Sequence, residues 1–141
     1  MKVIITGGCG HIGTYLVPML IDAGYDVINI TRGISRPYEY NPAWEKVRSV
    51  QLDRTKDFQF AEKIAKMNPD IVIDLINFDV NDTKSMVSAL KNTRCCHYLF
   101  CSSCWAHGRA EVLPLNPDDL KKSPLDDYGR NKFASELYLK E

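Results

Sequence analysis

A glycine-rich turn near the start of the chain constrains its fold more than any other feature. The stretch TGGCGHIG places Gly8, Gly10 and Gly13 in the spacing G-x-G-x-x-G. It follows KVIIT (Lys2–Thr6), a β-branched run typical of a buried strand, and it opens a helical pattern over residues 12–23. In this context one glycine permits a tight turn, one lets the backbone approach a diphosphate, and one lets the helix pack against the strand. The turn predicts dinucleotide binding at a helix N-terminus; the alternative is a glycine turn without a ligand.

Short apolar strands alternate with helical patterns along most of the remaining chain. Pro18 lies inside the first helical pattern, which continues past it, so we expect a helix with a bend. Residues 33–43 are predicted to form a loop that is too short to separate domains. The alternation predicts one dinucleotide-binding domain over residues 1–141, an α/β, Rossmann-like, doubly wound parallel sheet of about five strands with flanking helices. The later strands are predicted over residues 26–31, 47–53, 70–76 and 97–103, and the later helices around 60–65, around 86–90 and from about 127.

Charge, apolar run length and cysteine content argue against several classes of protein. Lys plus Arg equals Asp plus Glu at 18 each, which gives no electrostatic case for binding nucleic acid or an anionic membrane. No signal peptide is expected, and no stretch approaches the roughly 20 apolar residues of a membrane-spanning helix. The five cysteines are not spaced like a disulfide framework, so we expect a cytoplasmic protein in a reducing setting.

The residues that follow the second and third predicted strands bear on the choice of dinucleotide. The second strand ends at Thr31-Arg32 without the carboxylate that would hold the ribose hydroxyls of NAD. Arg32, helped by Arg36, could instead pair with a 2′-phosphate, which favours NADP over NAD; the alternative is a solvated loop arginine. Asp53, at the end of the third strand, is a candidate for the adenine amino group or, alternatively, a turn cap.

A tyrosine and a lysine four residues apart open the last predicted helix. Tyr128 and Lys132 share one helix face, and a nearby ammonium favours the phenolate form of tyrosine. Such a pair can exchange a proton with an alcohol or carbonyl oxygen, although this spacing also occurs by chance. Ser102 and Ser103 are predicted to end the fifth strand, where ligands of open α/β sheets bind, and a hydroxyl there could polarise the same oxygen.

These three motifs, TGGCGHIG, the CSS of Cys101–Ser103 and the YGRNK of Tyr128–Lys132, resemble the extended short-chain dehydrogenases/reductases. Within that superfamily the chain is most similar to the NAD(P)-dependent epimerase/dehydratase group. The resemblance implies hydride transfer between a nicotinamide and a hydroxyl or carbonyl carbon of a small molecule such as a nucleotide sugar. It implies that Ser103, Tyr128 and Lys132 are catalytic. The expected cofactor contacts are Gly7, Gly8, Gly10, His11, Ile12, Gly13, Thr31, Arg32, Asp53, Leu75 and Lys132.

The chain also departs from that group. Members are about twice as long, and their C-terminal half supplies the substrate pocket, so we expect a truncated cofactor-binding part without the substrate domain. The alternative is a module that binds or senses NADP(H) without turnover. His107 lies where many members have a second tyrosine, and the loop FDVNDTKSM is shorter than in nucleotide-sugar epimerases. An uncovered sheet edge predicts association, with a homodimer through the terminal helix.

A cysteine pair offers a different kind of site. Cys101 and Cys104 form a C-x-x-C with further cysteine and histidine residues nearby, which raises the alternatives of zinc binding or redox chemistry. Structural zinc usually needs two such pairs, and a redox cysteine usually lies at a helix start. We therefore expect no metal and interpret Cys95, Cys96 and Cys101 as small buried hydrophobic residues.

Overall fold

The computed structural model describes residues 1–110, 112–118 and 121–140. Five strands and four α-helices are described, together with two short 3-10 helices. In chain order the elements are β1 (Lys2–Thr6), α1 (His11–Asp22), β2 (Asp26–Thr31), a 3-10 helix (Pro42–Lys46), β3 (Arg48–Gln51), α2 (Phe60–Lys66), β4 (Ile71–Asp74), α3 (Val80–Leu90), β5 (His97–Phe100), a second 3-10 helix (Cys104–Ala106) and α4 (Asp127–Lys140).

The five strands form one parallel sheet in the order β3-β2-β1-β4-β5. β1 lies at the centre, where Val3 pairs with Val27 of β2 on one side and with Ile71 of β4 on the other. β2 and β3 extend the sheet on one side of β1, and β4 and β5 extend it on the other side. The predicted α/β, Rossmann-like sheet is confirmed, and its order reverses at the strand that ends in the glycine turn.

Both faces of the sheet are covered, because alternate residues of each strand point to opposite sides. Val3 and Ile5 pack with Val17 of α1 on one face. Ile4 packs with Ile64 of α2 on the other face, in a cluster that also includes residues of β2, β4 and α3. Central strands covered on both faces explain the nearly continuous apolar runs of β1 and β4.

The chain divides into two compact units. The sheet unit comprises residues 1–76 and 86–100, and it holds all five strands, α1 and α2. The C-terminal unit comprises residues 77–85 and 101–141, and it holds the second 3-10 helix and α4. α3 begins in the C-terminal unit and ends in the sheet unit.

Three strands are shorter than predicted. β4 spans Ile71–Asp74 and not 70–76, and β3 and β5 end where their neighbours end. β3 stops at Gln51, which pairs with the last residue of β2, Thr31. β5 stops at Phe100, which pairs with the last residue of β4, Asp74. The prediction that the fifth strand continues to Ser103 was therefore wrong, because no described residue pairs with β5 beyond Phe100.

Two local expectations about the first half of the chain had different outcomes. The predicted loop of residues 33–43 gives way at Pro42 to a 3-10 helix, capped by the side chain of Asn41. α1 runs from His11 to Asp22 with Pro18 buried inside it, as the periodicity predicted, and the bend there stays a prediction. Among the described helices, none is long and apolar enough to cross a membrane.

Candidate functional site

The glycine turn at the end of β1 is made by Gly7, which precedes the three glycines of the G-x-G-x-x-G spacing. Gly7 has φ +79°, a conformation that residues with a side chain rarely adopt. A Cβ there would also lie 2.4 Å from Cγ2 of Ile76. The Gly7 amide donates to the Ile30 carbonyl at 3.2 Å, which ties the turn to β2.

Gly8 and Gly13 let the first turn of α1 rest directly on the glycine turn. A Cβ on Gly13 would lie 2.2 Å from the carbonyl oxygen of Gly8, so this helix-to-turn contact requires glycine. The Gly8 amide donates to Oδ1 of Asn29 at 3.1 Å, and Asn29 is fully buried in β2. Sequence reasoning missed Asn29; its only signal was one amide side chain within the apolar run DVINIT.

Gly10 leaves the start of α1 open. It caps the helix without a side chain. Within the described part of the structure, a Cβ on Gly10 would crowd only the Gly7 oxygen, at 3.3 Å. In the described part of the chain, the amides of His11, Ile12 and Gly13 donate no hydrogen bond. No acidic residue lies in the first turn of α1. Free amides at the positive end of a helix dipole form a donor set that fits a diphosphate group.

The other predicted cofactor residues of the sheet unit lie at the same carboxyl edge of the sheet. Thr31 ends β2, and its hydroxyl accepts from the Gly33 amide at 3.1 Å. Arg32 follows, exposed, and its guanidinium makes no hydrogen bond to the described residues. Leu75 follows β4, and its amide donates to the Thr6 carbonyl at 3.2 Å. The structure thus brings the ends of β1, β2 and β4 together at the glycine turn.

Asp53, which follows β3, caps a turn. Its Oδ1 accepts from the Thr55 amide at 3.0 Å and from the Thr55 hydroxyl at 2.8 Å. These hydrogen bonds hold the pKa of Asp53 below its ordinary value, and the charges of Lys56 and Arg32 add to the effect. Among the described residues, the Lys56 ammonium is the one ion-pair partner of its Oδ2, at 4.0 Å. Asp53 therefore has the alternative role, that of a turn cap, and its contact with the adenine amino group stays a prediction.

Tyr128 and Lys132 lie on α4 in the C-terminal unit. Lys132 is only 2% exposed, and its Nζ donates to the backbone carbonyls of Asn77 at 2.5 Å and Cys101 at 2.6 Å. A buried ammonium held by carbonyls is costly to build and is fixed in position. Its Nζ lies 5.6 Å from the ring centroid of Tyr128, which is 39% exposed. The pair thus combines a fixed buried cation with an accessible phenol.

The two serines after β5 have different partners. The Ser102 hydroxyl donates to the carboxylate of Glu136 on α4. The Ser103 hydroxyl instead accepts from the Trp105 amide at 3.2 Å, as the cap of the second 3-10 helix. Among the described residues, the Ser103 proton has no acceptor, so that hydroxyl can still donate.

Glu136 joins Ser102 to a buried lysine. Its second carboxylate oxygen pairs with the ammonium of Lys122, whose side chain is 3% exposed. Burial alone would raise the pKa of Glu136, but the hydrogen bonds from Lys122 and Ser102 outweigh burial and hold that pKa below its ordinary value. Sequence reasoning missed this residue, although Tyr128, Lys132 and Glu136 follow one another at helical spacing of four.

A second buried network reaches Lys132 from α3. The Asn77 side-chain amide donates to the Thr83 hydroxyl at 2.9 Å, and that hydroxyl donates to Ser135 Oγ at 2.9 Å. Because the carbonyl of Asn77 accepts from Lys132, this chain of polar groups fixes the lysine's acceptor. The sequence offered no pattern for it, since the partners lie 52 residues apart along the chain.

All five cysteines are free thiols. The prediction that Cys95, Cys96 and Cys101 are buried was wrong: Cys96 is exposed and the other two are partly exposed, because they lie in the segments that flank β5. Cys101 also lies outside the strand. Burial raises the pKa of the Cys95 thiol, which disfavours its reactive thiolate. Within the described ranges, no group of three or more potential metal ligands occurs.

Relatives with known names match nearly the whole chain. It is 33% identical to 2′-dehydrokanamycin reductase of Streptomyces kanamyceticus over 138 residues, which is 96% of this chain and 37% of that relative. It is 32% identical to UDP-glucose 4-epimerase of Mycoplasma pneumoniae over 162 residues, 98% of this chain and 47% of the relative. The chain therefore spans less than half the length of these two relatives.

Solved structures of epimerases share the fold. The UDP-N-acetylglucosamine 4-epimerase of Methanobrevibacter ruminantium, in complex with UDP-N-acetylmuramic acid, superposes with a TM-score of 0.78 at 27% identity, over 99% of this chain and 49% of that one. The UDP-glucose 4-epimerase of Bifidobacterium longum, in complex with NAD+ and UDP, gives a TM-score of 0.79 at 22% identity, over 99% and 48%. The second likeness shows the fold alone.

The model of one protein family matches residues 3–141, almost the whole chain. Its match agrees with the parallel sheet. The chain belongs to the NAD dependent epimerase/dehydratase family.

Proposed function

We propose that this chain is the cofactor-binding part of an NAD(P)-dependent oxidoreductase of the epimerase/dehydratase type. The reaction would move a hydride to or from a hydroxyl or carbonyl carbon of a nucleotide-sugar-like substrate. One observation carries the proposal: the first turn of α1 presents the amides of His11, Ile12 and Gly13 without protein acceptors in the described residues, beside a glycine with an open side.

The sheet unit would hold the cofactor. The three amides and the open face of Gly10 would bind the diphosphate, with Gly7 and Gly8 shaping the turn. Oδ2 of Asp53 would accept from the adenine amino group, and Thr31 and Leu75 would flank the adenosine. When bound, the nicotinamide would supply the hydride acceptor and donor.

The C-terminal unit would move the proton. The phenol of Tyr128 would exchange a proton with the substrate oxygen, because the ammonium of Lys132 stabilises negative charge on the phenol oxygen. Lys132 would also donate to the nicotinamide ribose. Its carbonyl partners at Asn77 and Cys101 support this role, since they keep the ammonium in one place.

Ser103 is the better candidate of the two serines to polarise the substrate oxygen. The Ser102 proton is committed to Glu136, whereas the Ser103 hydroxyl only accepts from Trp105 and keeps its proton to donate. A donor aimed at an oxygen that gains negative charge lowers the barrier to hydride transfer onto a carbonyl. UDP-glucose 4-epimerases among the relatives support a nucleotide-sugar-like substrate.

Within the choice of dinucleotides we propose NADP over NAD. Arg32 ends the second strand region with an exposed guanidinium that makes no hydrogen bond to the described residues. A guanidinium pairs well with a 2′-phosphate, and no carboxylate follows Thr31 to accept from ribose hydroxyls.

A titration with NADPH and NADH, followed by nucleotide fluorescence, tests the binding part of the proposal. Gly10→Ala adds a methyl group on the open side of the turn, so we expect affinity to fall at least about tenfold, a loss of roughly 1.4 kcal/mol. Its stability should change by less than about 1 kcal/mol, since only the Gly7 oxygen is crowded.

Gly24→Ala is the matched control. Gly24 ends the α1 region with φ +83°, and nothing lies within 4 Å of a Cβ there. This variant should lose about 1–2 kcal/mol of stability through backbone strain and bind both nucleotides normally. Unchanged affinity in Gly10→Ala would reject the diphosphate site.

The catalytic part needs a substrate panel. Nucleotide sugars are incubated with the chain and the bound cofactor, and hydride transfer is followed by absorbance. Tyr128→Phe should keep nucleotide affinity and lose turnover, because it removes only the phenol hydroxyl. Turnover that survives in Tyr128→Phe would reject the assigned role.

A further inference from the structure

A fully buried carboxylate in the sheet unit has partners on β1, on β5 and in the turn after β3. Asp74, the last residue of β4, has no exposed surface. Its Oδ1 accepts from the Thr6 hydroxyl at 2.5 Å, and its Oδ2 accepts from the Tyr98 hydroxyl at 3.0 Å. Nη2 of Arg54 lies 2.8 Å and 2.7 Å from the two oxygens, and the Arg54 side chain is 9% exposed.

The strand register brings these groups to one face of the sheet. Thr6 and Asp74 are direct partners in the β1–β4 pair. Tyr98 pairs with Val72, two residues before Asp74 and so on the same face. The Arg54 guanidinium stacks 4.8 Å from the ring centroid of Phe60 at the start of α2. The polar cluster thus closes the α2 side of the core at its carboxyl end.

Two of these partners of Asp74 adjoin a candidate cofactor contact. Thr6 directly precedes Gly7, the residue that makes the glycine turn. Arg54 directly follows Asp53. Asp74 itself precedes Leu75. Tyr98 alone has no such neighbour.

A buried ion pair is an expensive way to stabilise a core, and apolar residues of similar volume often do as well. Its defined geometry, however, fixes the positions of the two backbone segments that carry the paired side chains. Arg54 reaches Asp74 from the turn that Asp53 and Thr55 form after β3, although β2 and β1 separate β3 from β4 in the sheet. The ion pair therefore anchors that turn to the centre of the sheet.

We propose that Asp74 and Arg54 are positioning residues for adenine recognition. Through Arg54, Asp74 holds the turn in which Asp53 presents Oδ2, and through Thr6 it holds the residue before the glycine turn. Neither residue touches the cofactor. The inference rests on the proposed binding of an NAD(P) cofactor, and it adds how Asp53 is aimed at the adenine amino group.

The test compares NADPH with its hypoxanthine analogue, in which a carbonyl oxygen replaces the adenine amino group. Dissociation constants for both nucleotides are measured by fluorescence, for the intact chain and for each variant. The readout is the dissociation constant of the analogue divided by that of NADPH. If Asp53 accepts from the amino group, the intact chain should prefer NADPH by about tenfold, since a hydrogen bond to a charged group is lost with the analogue. Asp53→Asn should bring the ratio to about one.

Arg54→Lys and Asp74→Asn should reduce the ratio at least about threefold, although both leave Asp53 in place. Arg54→Lys keeps the positive charge, so it remains informative where Asp74→Asn does not fold. Two controls should keep the ratio of the intact chain. Tyr98→Phe removes one hydrogen bond of Asp74 without adjoining a cofactor contact, and Ile64→Val loosens the same core outside the cluster.

The outcomes separate the inference from the proposed function. A chain that binds neither nucleotide rejects both. A preference for NADPH that Asp53→Asn abolishes, but that Arg54→Lys and every folded Asp74 variant retain, overturns the positioning role and leaves the proposed function standing. Equal affinity of the intact chain for both nucleotides also overturns it, because Asp53 would then not read the adenine. Loss of the preference in Ile64→Val as well would show a general effect of destabilisation and count against the inference.

Discussion

The candidate site residues of the two units differ in the groups that they offer, which are backbone amides at the glycine turn and side chains on α4. In the sheet unit the candidate contacts are mostly backbone amides, so glycine matters there for what it leaves open, as at Gly10. In the C-terminal unit the candidate groups are side chains, and Lys132 is held by two carbonyls while Tyr128 stays accessible. A substitution in the glycine turn should therefore act through sterics, and one at Tyr128 or Lys132 through charge and proton transfer.

At the residue scale, we propose that Arg32 sets the preference for NADP over NAD. Arg32→Ala should weaken NADPH binding at least about tenfold, because a charge-assisted hydrogen bond to the 2′-phosphate is worth roughly 1.5–3 kcal/mol. NADH binding should change by less than about twofold. Both dissociation constants come from fluorescence titration at fixed ionic strength, since the contact is screened by salt.

Arg48→Ala is the control for net charge. Arg48 is an exposed arginine of the same unit at the amino end of β3, the opposite edge of the sheet. It should leave both affinities unchanged. Equal losses for NADPH and NADH in Arg32→Ala would contradict recognition of a 2′-phosphate.

At the scale of elements, α4 organises the second candidate site. Tyr128, Lys132 and Glu136 follow at intervals of four and share one side of the helix. The helix start is fixed by Asp126, whose carboxylate accepts from the Gly129 amide at 2.7 Å and from the Trp105 indole at 2.9 Å. One element thus orients the phenol, the ammonium and the carboxylate that holds Ser102.

The pH dependence of stability follows from Glu136. Its pKa is depressed in the folded state, so its ionic contacts stabilise the fold above about pH 4.3, the unfolded value. That contribution is lost as the pH falls through the depressed value. At pH 7, Glu136→Gln should lower the free energy of unfolding by about 1.5–3 kcal/mol, the range for hydrogen bonds to charged groups.

Urea denaturation between pH 3 and pH 7 measures this difference. The difference in free energy of unfolding between the intact chain and Glu136→Gln should be largest near neutrality and should decrease towards pH 3. Asp118→Asn, at an exposed carboxylate whose side chain has no partner among the described residues, should show no gap at any pH. A gap that grows as the pH falls would contradict the assigned sign.

Local pattern predicted which elements form, and long-range contacts decided the rest. The β-branched run of β1, the glycine spacing and the periodicity of α1 are local signals, and they predicted the first strand, the turn after it and the first helix. The end of β5 depends on where β4 stops, which no window of sequence contains. Cys96 is exposed in the segment that precedes β5.

The polar contacts were the least predictable part of the site. Asn29, Asp74 and Asn77 each meet partners more than five residues away along the chain, and a lone polar residue in an apolar run does not name its partner. The YGRNK motif gave the tyrosine and lysine, but not the carbonyls of Asn77 and Cys101 that hold the lysine.

At the scale of the whole molecule, the chain spans 37% and 47% of two named relatives, so their full activity is a proposal for it. We also propose association into a homodimer through α4. Phe133 is partly exposed and Leu137 is 46% exposed, and these residues lie four apart on one side of the helix. Sedimentation velocity should show a concentration-dependent dimer.

Leu137→Glu should shift that equilibrium to monomer, because a charge would have to be buried in the interface. Met19→Glu, on the exposed face of α1 (Met19 is 66% exposed), is the matched control and should leave the dimer intact. A monomer at every concentration in the intact chain would contradict association through α4.

The central claim is that the start of α1 binds the diphosphate of a nicotinamide cofactor. At 16.1 kDa the chain is small enough for amide-resolved NMR with 15N labelling. Adding NADPH should shift the amide resonances of His11, Ile12 and Gly13 in a saturable way, over the same concentrations that change the nucleotide fluorescence. Resonances of these three amides that stay in place at saturating NADPH and NADH would contradict the account.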